Sequence, residues 1–324
     1  HLSIISGLLL PRPIEVVVVD NNLASRILAK ELLSQVKVFK DIDDVKLCSP
    51  NELFDFCLIT TPPIQRQRLV TQASKLAKAV FIEKPLMIKI EKNQMSGYVL
   101  QHAPLNPQVY DFLKDVDVKS IRARLTTNLS FSNIEKGWRS GKFGSVLYEF
   151  GGHLLTLIAA SCGKDDFLSK DTDLESVNPI FLDSDLVKFD FKSQDIEVFV
   201  ELKAGSSDVR KASYLVEFFS DDKLYTYDLY SFVSYETNTS NSKSVSMNIA
   251  EIDTNTPFYV RGFEFSRQME AFINSSFDVL SNEQINNLVK IATDTDHRRA
   301  IEDDIASRAG LEPGYVAIDV PSVK

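Results

Sequence analysis

The chain has 324 residues, 44% of them hydrophobic and 25% charged, with a formal net charge of −9. That length gives room for one large or two ordinary domains with an ample core, and the acidic balance argues against nucleic acid or an anionic membrane as the main partner. Cys48, Cys57 and Cys162 are far apart and form no CxxC pair, which points to a reducing, cytoplasmic setting with no disulfide framework and no metal site.

The opening HLSIISGLLLP lacks a basic n-region and is far short of the roughly 20 residues of a membrane span; it reads as a helix ahead of the first strand. Ile14–Val19 is a continuous β-branched run ending on Asp20, and Leu23–Leu33 then carries apolar residues at helical spacing. Phe54–Ile59 is a second apolar run, stopped by Thr60-Thr61-Pro62-Pro63, and Ile64–Lys78 again reads as a helix. The third run, AVFIEKP, ends on Glu83 and Lys84, because Pro85 cannot donate a ladder hydrogen bond. Near-continuous apolar strands separated by helices predict a parallel sheet covered on both faces. Tyr98–Gln101 reads as a further short strand.

Beyond about Asn106 the texture changes. Ile121–Leu129, Leu186–Phe191, Ile196–Leu202, Tyr214–Phe219 and Lys223–Leu229 alternate polar with apolar residues, the pattern of half-exposed antiparallel strands. A strongly apolar, helix-like stretch, Val146–Ala160, lies between the first two of them. Glu264–Ile273 is helical, and Ser281 with Gln284 forms a capping-box pattern. The expected class is α/β: a Rossmann-type dinucleotide-binding domain over residues 1–88, then an α+β domain over residues 89–324. The second domain is built on a large, mostly antiparallel open sheet.

In open α/β sheets ligands bind at the carboxyl ends of the strands, where the candidate cofactor-binding residues Asp20, Asn21, Thr60, Thr61, Pro62, Glu83 and Lys84 fall. An acid such as Asp20 can accept from ribose hydroxyls and repel a 2′-phosphate; Asp20-Asn21-Asn22 can equally be a turn and helix cap. Gly7 is the only glycine before residue 97, so no glycine-rich phosphate turn is present. A Rossmann unit needs a strand and such a turn before its first helix, and both are expected ahead of His1. Downstream, Glu149 and His153 are four residues apart in YEFGGHLLT and share a face if helical. Histidine exchanges protons near neutral pH and a carboxylate can orient it, although a hydrogen-bonded structural histidine has the same signature.

An acid-ended strand, a TPP turn, an EKP strand end and a downstream ExxxH on a glycine-rich helix start together resemble the glucose-fructose oxidoreductase and inositol dehydrogenase family, Gfo/Idh/MocA. The resemblance covers nearly the whole chain. It implies hydride transfer between a nicotinamide cofactor and a secondary alcohol or ketone of a sugar, nucleotide sugar or cyclitol, and Asp20 makes that cofactor NAD rather than NADP. It places Lys84 at the reacting oxygen, His153 as acid/base, and Glu149 where many members carry aspartate. Trp138 and Arg139 would contact substrate; Thr156 stands where an aspartate is frequent. It further implies a homo-oligomer, dimer or tetramer, built through the open sheet, with neither nucleic acid nor membrane as partner. A catalytically silent binding or scaffold protein of the same fold, or a reductase of a non-sugar substrate, are the competing expectations.

Overall fold

The computed structural model describes residues 15–33, 35–48, 53–85, 93–134, 139, 144–165, 167–168, 173–207, 212–229, 231–236 and 262–276. The opening helix, Trp138, and the Ser281–Gln284 capping box lie outside the described residues.

The first part alternates strand and helix as expected. Strand β1 (Val17–Val19) leads to α1 (Leu23–Leu32), capped by Asn22, whose side chain accepts from the Ala24 N–H. Strand β2 (Lys37–Phe39) pairs parallel with β1, and α2 (Ile42–Cys48) follows. Strand β3 (Phe54–Ile59) is followed by a 3₁₀ turn (Pro63–Gln65), α3 (Arg66–Ala73) and β4 (Ala77–Ile82), which pairs parallel with β3. The single helix expected over Ile64–Lys78 is therefore a correction. The chain turns at Ser74–Leu76, and Ala77 and Lys78 already belong to the strand.

A second correction concerns Tyr98–Gln101. The strand is β5 (Gln94–Ser96), parallel to β4, and Val99–His102 is a 3₁₀ turn. Gln94, Met95 and Ser96 have little strand propensity of their own, so partner and burial decide; all three are buried.

Both faces of the β3–β4–β5 sheet are covered. Val70 and Ala73 of α3 pack on Ile59, Val80 and Ile82 on one side. On the other, Met269, Phe272 and Ile273 of α6 (Gly262–Ser276) pack on Phe81 and Met95. Burial on both faces explains why AVFI is continuously apolar.

The second part is one seven-stranded sheet. Its strands are β6 (Ser120–Thr126), β7 (Asp173–Leu182), β8 (Leu186–Ser193), β9 (Ile196–Lys203), β10 (Ser213–Phe219), β11 (Lys223–Asp228) and β12 (Ser231–Glu236). Their order is β12-β11-β10-β6-β9-β8-β7, with every pair antiparallel except β6 and β9. Burial alternates along β6, β8, β9 and β10, as period-two patterning requires. The inward face packs on α4 (Asn106–Leu113) and α5 (Gly152–Ser161) in one large core. Among the described residues no helix is long and apolar enough to cross a membrane, and no group of His, Cys, Asp and Glu could hold a metal ion.

Candidate active site

Strands β3 and β4 end side by side, so the turns carrying Thr60-Thr61-Pro62 and Glu83-Lys84-Pro85 are neighbours at one sheet edge. Lys84 reaches from there to the second part of the chain. Its Nζ donates to Glu149 Oε1 at 2.7 Å and lies 3.3 Å from the Glu149 carbonyl oxygen. The ammonium also sits 5.8 Å from the centre of the Phe150 ring.

Glu149 stands in a π-helical turn, Leu147–Gly151, that runs directly into α5. The expected helix over Val146–Ala160 thus holds, with its first turn widened where Glu149 projects. Wide turns of this kind are frequent at functional sites. Glu149 is almost fully buried, and Arg139 grips its other side: Nε to Oε2 at 3.1 Å, Nη2 to Oε1 at 2.8 Å. Burial by itself pushes this carboxyl up. The Arg139 hydrogen bonds and the charge and hydrogen bond of Lys84 outweigh it and hold the carboxyl below its ordinary value.

Because Arg139 satisfies the carboxylate with a two-point grip, Lys84 can leave Glu149 for another oxygen without stranding a buried charge, the event that makes a broken buried pair costly. A carboxyl whose folded-state value is depressed stabilises the fold fully above its unfolded value, here ordinarily 4.5, and loses that contribution as pH falls through the folded value. Thermal melts from pH 7 down to about pH 3 are expected to show a decline that is shallower, relative to its own neutral value, in Glu149→Gln. Parallel curves for the two proteins would remove the ion cluster from the acid response.

His153 is four residues after Glu149, on the first turn of α5, 5% exposed, with its ring edge-on to Tyr98 at 5.7 Å between centroids. The adjacent Gly152 lies flat against that tyrosine: a Cβ there would fall 2.3 Å from Tyr98 Cε1. A Gly151-Gly152 pair would allow the backbone to approach a ligand closely; at Gly152 the close approach is instead to Tyr98, which belongs to the core of the first sheet.

Thr156 is placed otherwise than expected. It is completely buried in α5 and its hydroxyl donates to the Gly152 carbonyl one turn back, so it is not among the groups gathered here. Glu83 is folded onto its own turn, with Oε2 accepting the Lys84 N–H at 3.0 Å.

The remaining expected residues lie at a cavity of about 400 Å³ between β1 and β3. Val16 to Asp20 line one side and Phe56 to Thr61 the other. Consecutive residues of each strand line it, so both strands present an edge to the cavity; their other edges pair with β2 and β4. No described strand lies between them. Asp20, Thr60 and Thr61 are thereby brought together, with the Thr61 hydroxyl oxygen buried and without a hydrogen-bond partner. Asp20 also serves the turn, accepting the Asn22 N–H at 2.8 Å. Asn21 and Pro62 are exposed and do not line the cavity.

One residue that the sequence reading passed over is Arg66. It is 3% exposed and donates to carbonyl oxygens of both turns. Its signal was a cation in the first turn of a helix, where the macrodipole disfavours one.

The fold that brings these groups together recurs in solved structures. Levoglucosan dehydrogenase in complex with NADH and levoglucosan superposes with a TM-score of 0.71 at 13% identity, over 95% of this chain and 93% of that one. A Gfo/Idh/MocA family oxidoreductase from Vibrio cholerae gives 0.65 at 13% identity, over 95% and 94%. The chain has the fold of these oxidoreductases. UDP-N-acetylglucosamine 3-dehydrogenase GnnA from Acidithiobacillus ferrooxidans shares it as well, with a TM-score of 0.62 at 12% identity over 92% of this chain and 89% of that one. No protein-family model and no curated protein matches the chain.

Proposed function

We propose that the protein is an NAD-dependent dehydrogenase acting on a secondary alcohol of a sugar, nucleotide sugar or cyclitol. The observation that carries this reading is the Lys84 ammonium at the end of β4, held by a carboxylate one turn before His153. The shared fold supports it, since the levoglucosan dehydrogenase carrying it was solved with NADH.

Of the residues present, those at the strand ends fit the ribose part of a dinucleotide, while no glycine-rich turn for the pyrophosphate is among them. Asp20 suits the ribose hydroxyls, and the buried Thr61 hydroxyl lacks a partner at the cavity that Asp20 and Thr60 share. The nicotinamide, when bound, supplies the hydride chemistry. Lys84 donates a hydrogen bond to the reacting oxygen and favours its alkoxide character, while His153 accepts the alcohol proton. Glu149 and Arg139 hold Lys84 in place rather than exchange protons. The exposed face of the large sheet, with Phe199 and Ile180 at its surface, is our reading of the oligomer contact.

The test is calorimetry with NAD and NADP, followed by NAD reduction with a panel of sugars and cyclitols. Binding of NAD with turnover of one panel member is expected; binding of neither nucleotide would return the silent-scaffold reading. In the same titrations Asp20→Ala is expected to narrow the preference for NAD over NADP, because a 2′-phosphate no longer meets a carboxylate. An unchanged ratio would leave Asp20 with its turn role alone.

A further inference from the structure

Arg66 opens α3 without serving that helix. A cation in the first turn opposes the macrodipole, and Gln65 before it supplies no side-chain cap. The side chain folds back across the carboxyl ends of β3 and β4. There Nε donates to Thr61 O at 2.7 Å, Nη1 to Glu83 O and Pro85 O at 2.5 Å each, and Nη2 to Lys84 O at 3.0 Å. Four of the guanidinium's five N–H donors are thereby used on main-chain oxygens.

Successive carbonyls of an extended strand point alternately to opposite sides. Those of Glu83, Lys84 and Pro85 all converge on one guanidinium, so the chain is bent around it. The Lys84 N–H is tied as well, to Glu83 Oε2. Gly97 closes the remaining side: its N–H donates to Ile82 O at 2.7 Å, and a Cβ there would fall 2.9 Å from Glu83 Cα.

We propose that Arg66 is a positioning residue: it shapes the turn that aims the Lys84 ammonium at Glu149, and it ties that turn to Thr61 at the rim of the cavity. Its consequence for catalysis rests on the dehydrogenase reading; the geometry does not. Burial pushes the guanidinium down to about 10, against the pull of Glu83, Tyr98 and Glu149, so it stays charged at neutral pH. A lysine would keep the charge but not the planar fork that spans two turns.

The experiment compares acetylation of Lys84 by an N-hydroxysuccinimide ester with that of the exposed Lys78 in the same protein, read by peptide mass spectrometry. Wild type, Arg66→Gln and Arg66→Lys are compared, with Glu149→Gln marking the rate of a released Lys84. Both Arg66 variants are expected to raise the Lys84-to-Lys78 ratio about tenfold, the equivalent of ~1.4 kcal/mol, toward that of Glu149→Gln. Circular dichroism should remain that of the folded wild type. If Arg66→Gln fails to fold, Arg66→Lys, which keeps the buried charge, decides. A wild-type ratio in a folded variant overturns the proposal. Where a substrate is turned over, Arg66→Lys should lower kcat by a larger factor than it raises KM for NAD. A wild type that oxidises no panel member counts against the dehydrogenase reading, and the acetylation ratio still decides Arg66.

Discussion

Lys84→Ala is expected to lower kcat by about a hundredfold to a thousandfold, the range found when one preorganised donor to a developing oxyanion is removed, while NADH still binds. The Lys84 side chain is 18% exposed and its ammonium contacts Glu149 and the Phe150 ring, neither of which lines the Asp20 cavity. Loss of Lys84 leaves Glu149 in the two-point grip of Arg139, so the fold should survive the change. Steady-state kinetics paired with a fluorescence titration of NADH separates the two quantities. Undiminished kcat would remove Lys84 from the mechanism, and a parallel loss of NADH affinity would make it a cofactor ligand instead.

Gly152→Ala is the substitution with the largest expected cost in stability. The added methyl would stand 2.3 Å from Tyr98 Cε1, 2.6 Å from Cζ and 2.8 Å from the hydroxyl. Tyr98 is 2% exposed and packed among Val80, Ile82 and Ile59, so the ring has no room to withdraw. Overpacking a filled core costs about 1–3 kcal/mol, or a fall in thermal midpoint of several degrees at ~2–4 °C per kcal/mol for a chain of this order of size. His153 is the next residue and meets the same ring edge-on, so activity should fall with stability. A second change, Tyr98→Phe, relieves little of the clash, whereas Tyr98→Leu should restore part of the midpoint. An alanine variant that melts with wild type would show that the helix start is not seated on Tyr98.

Where a residue's environment is local, the sequence reading reached it. Asp20, Thr60, Glu83 and Lys84 follow from strand ends, which apolar runs and prolines mark within a few residues. Glu149 and His153 follow from spacing along one helix. The reading failed where the environment is supplied by distant chain. Gln94–Ser96 is a strand only because β4 offers it an edge and α6, more than 160 residues later, covers it. Thr156, expected at the substrate, is turned into the core. Arg66 looked like one more surface cation of a helix until its carbonyl partners were placed around it.

By itself the sequence determined the two-part architecture, because a period near two against continuous apolar runs reports how many faces of each strand are covered. It also determined which strand ends carry charge. Only the tertiary structure decided what those charges do. Lys84 and Glu149 are 65 positions apart, and Arg66 lies 18 positions from the Lys84 carbonyl it holds. Pairing across such separations is set by how sheets and helices pack, which no local pattern encodes. The same packing closes Gly152 onto Tyr98 and brings the Asp20 and Thr61 turns to one cavity.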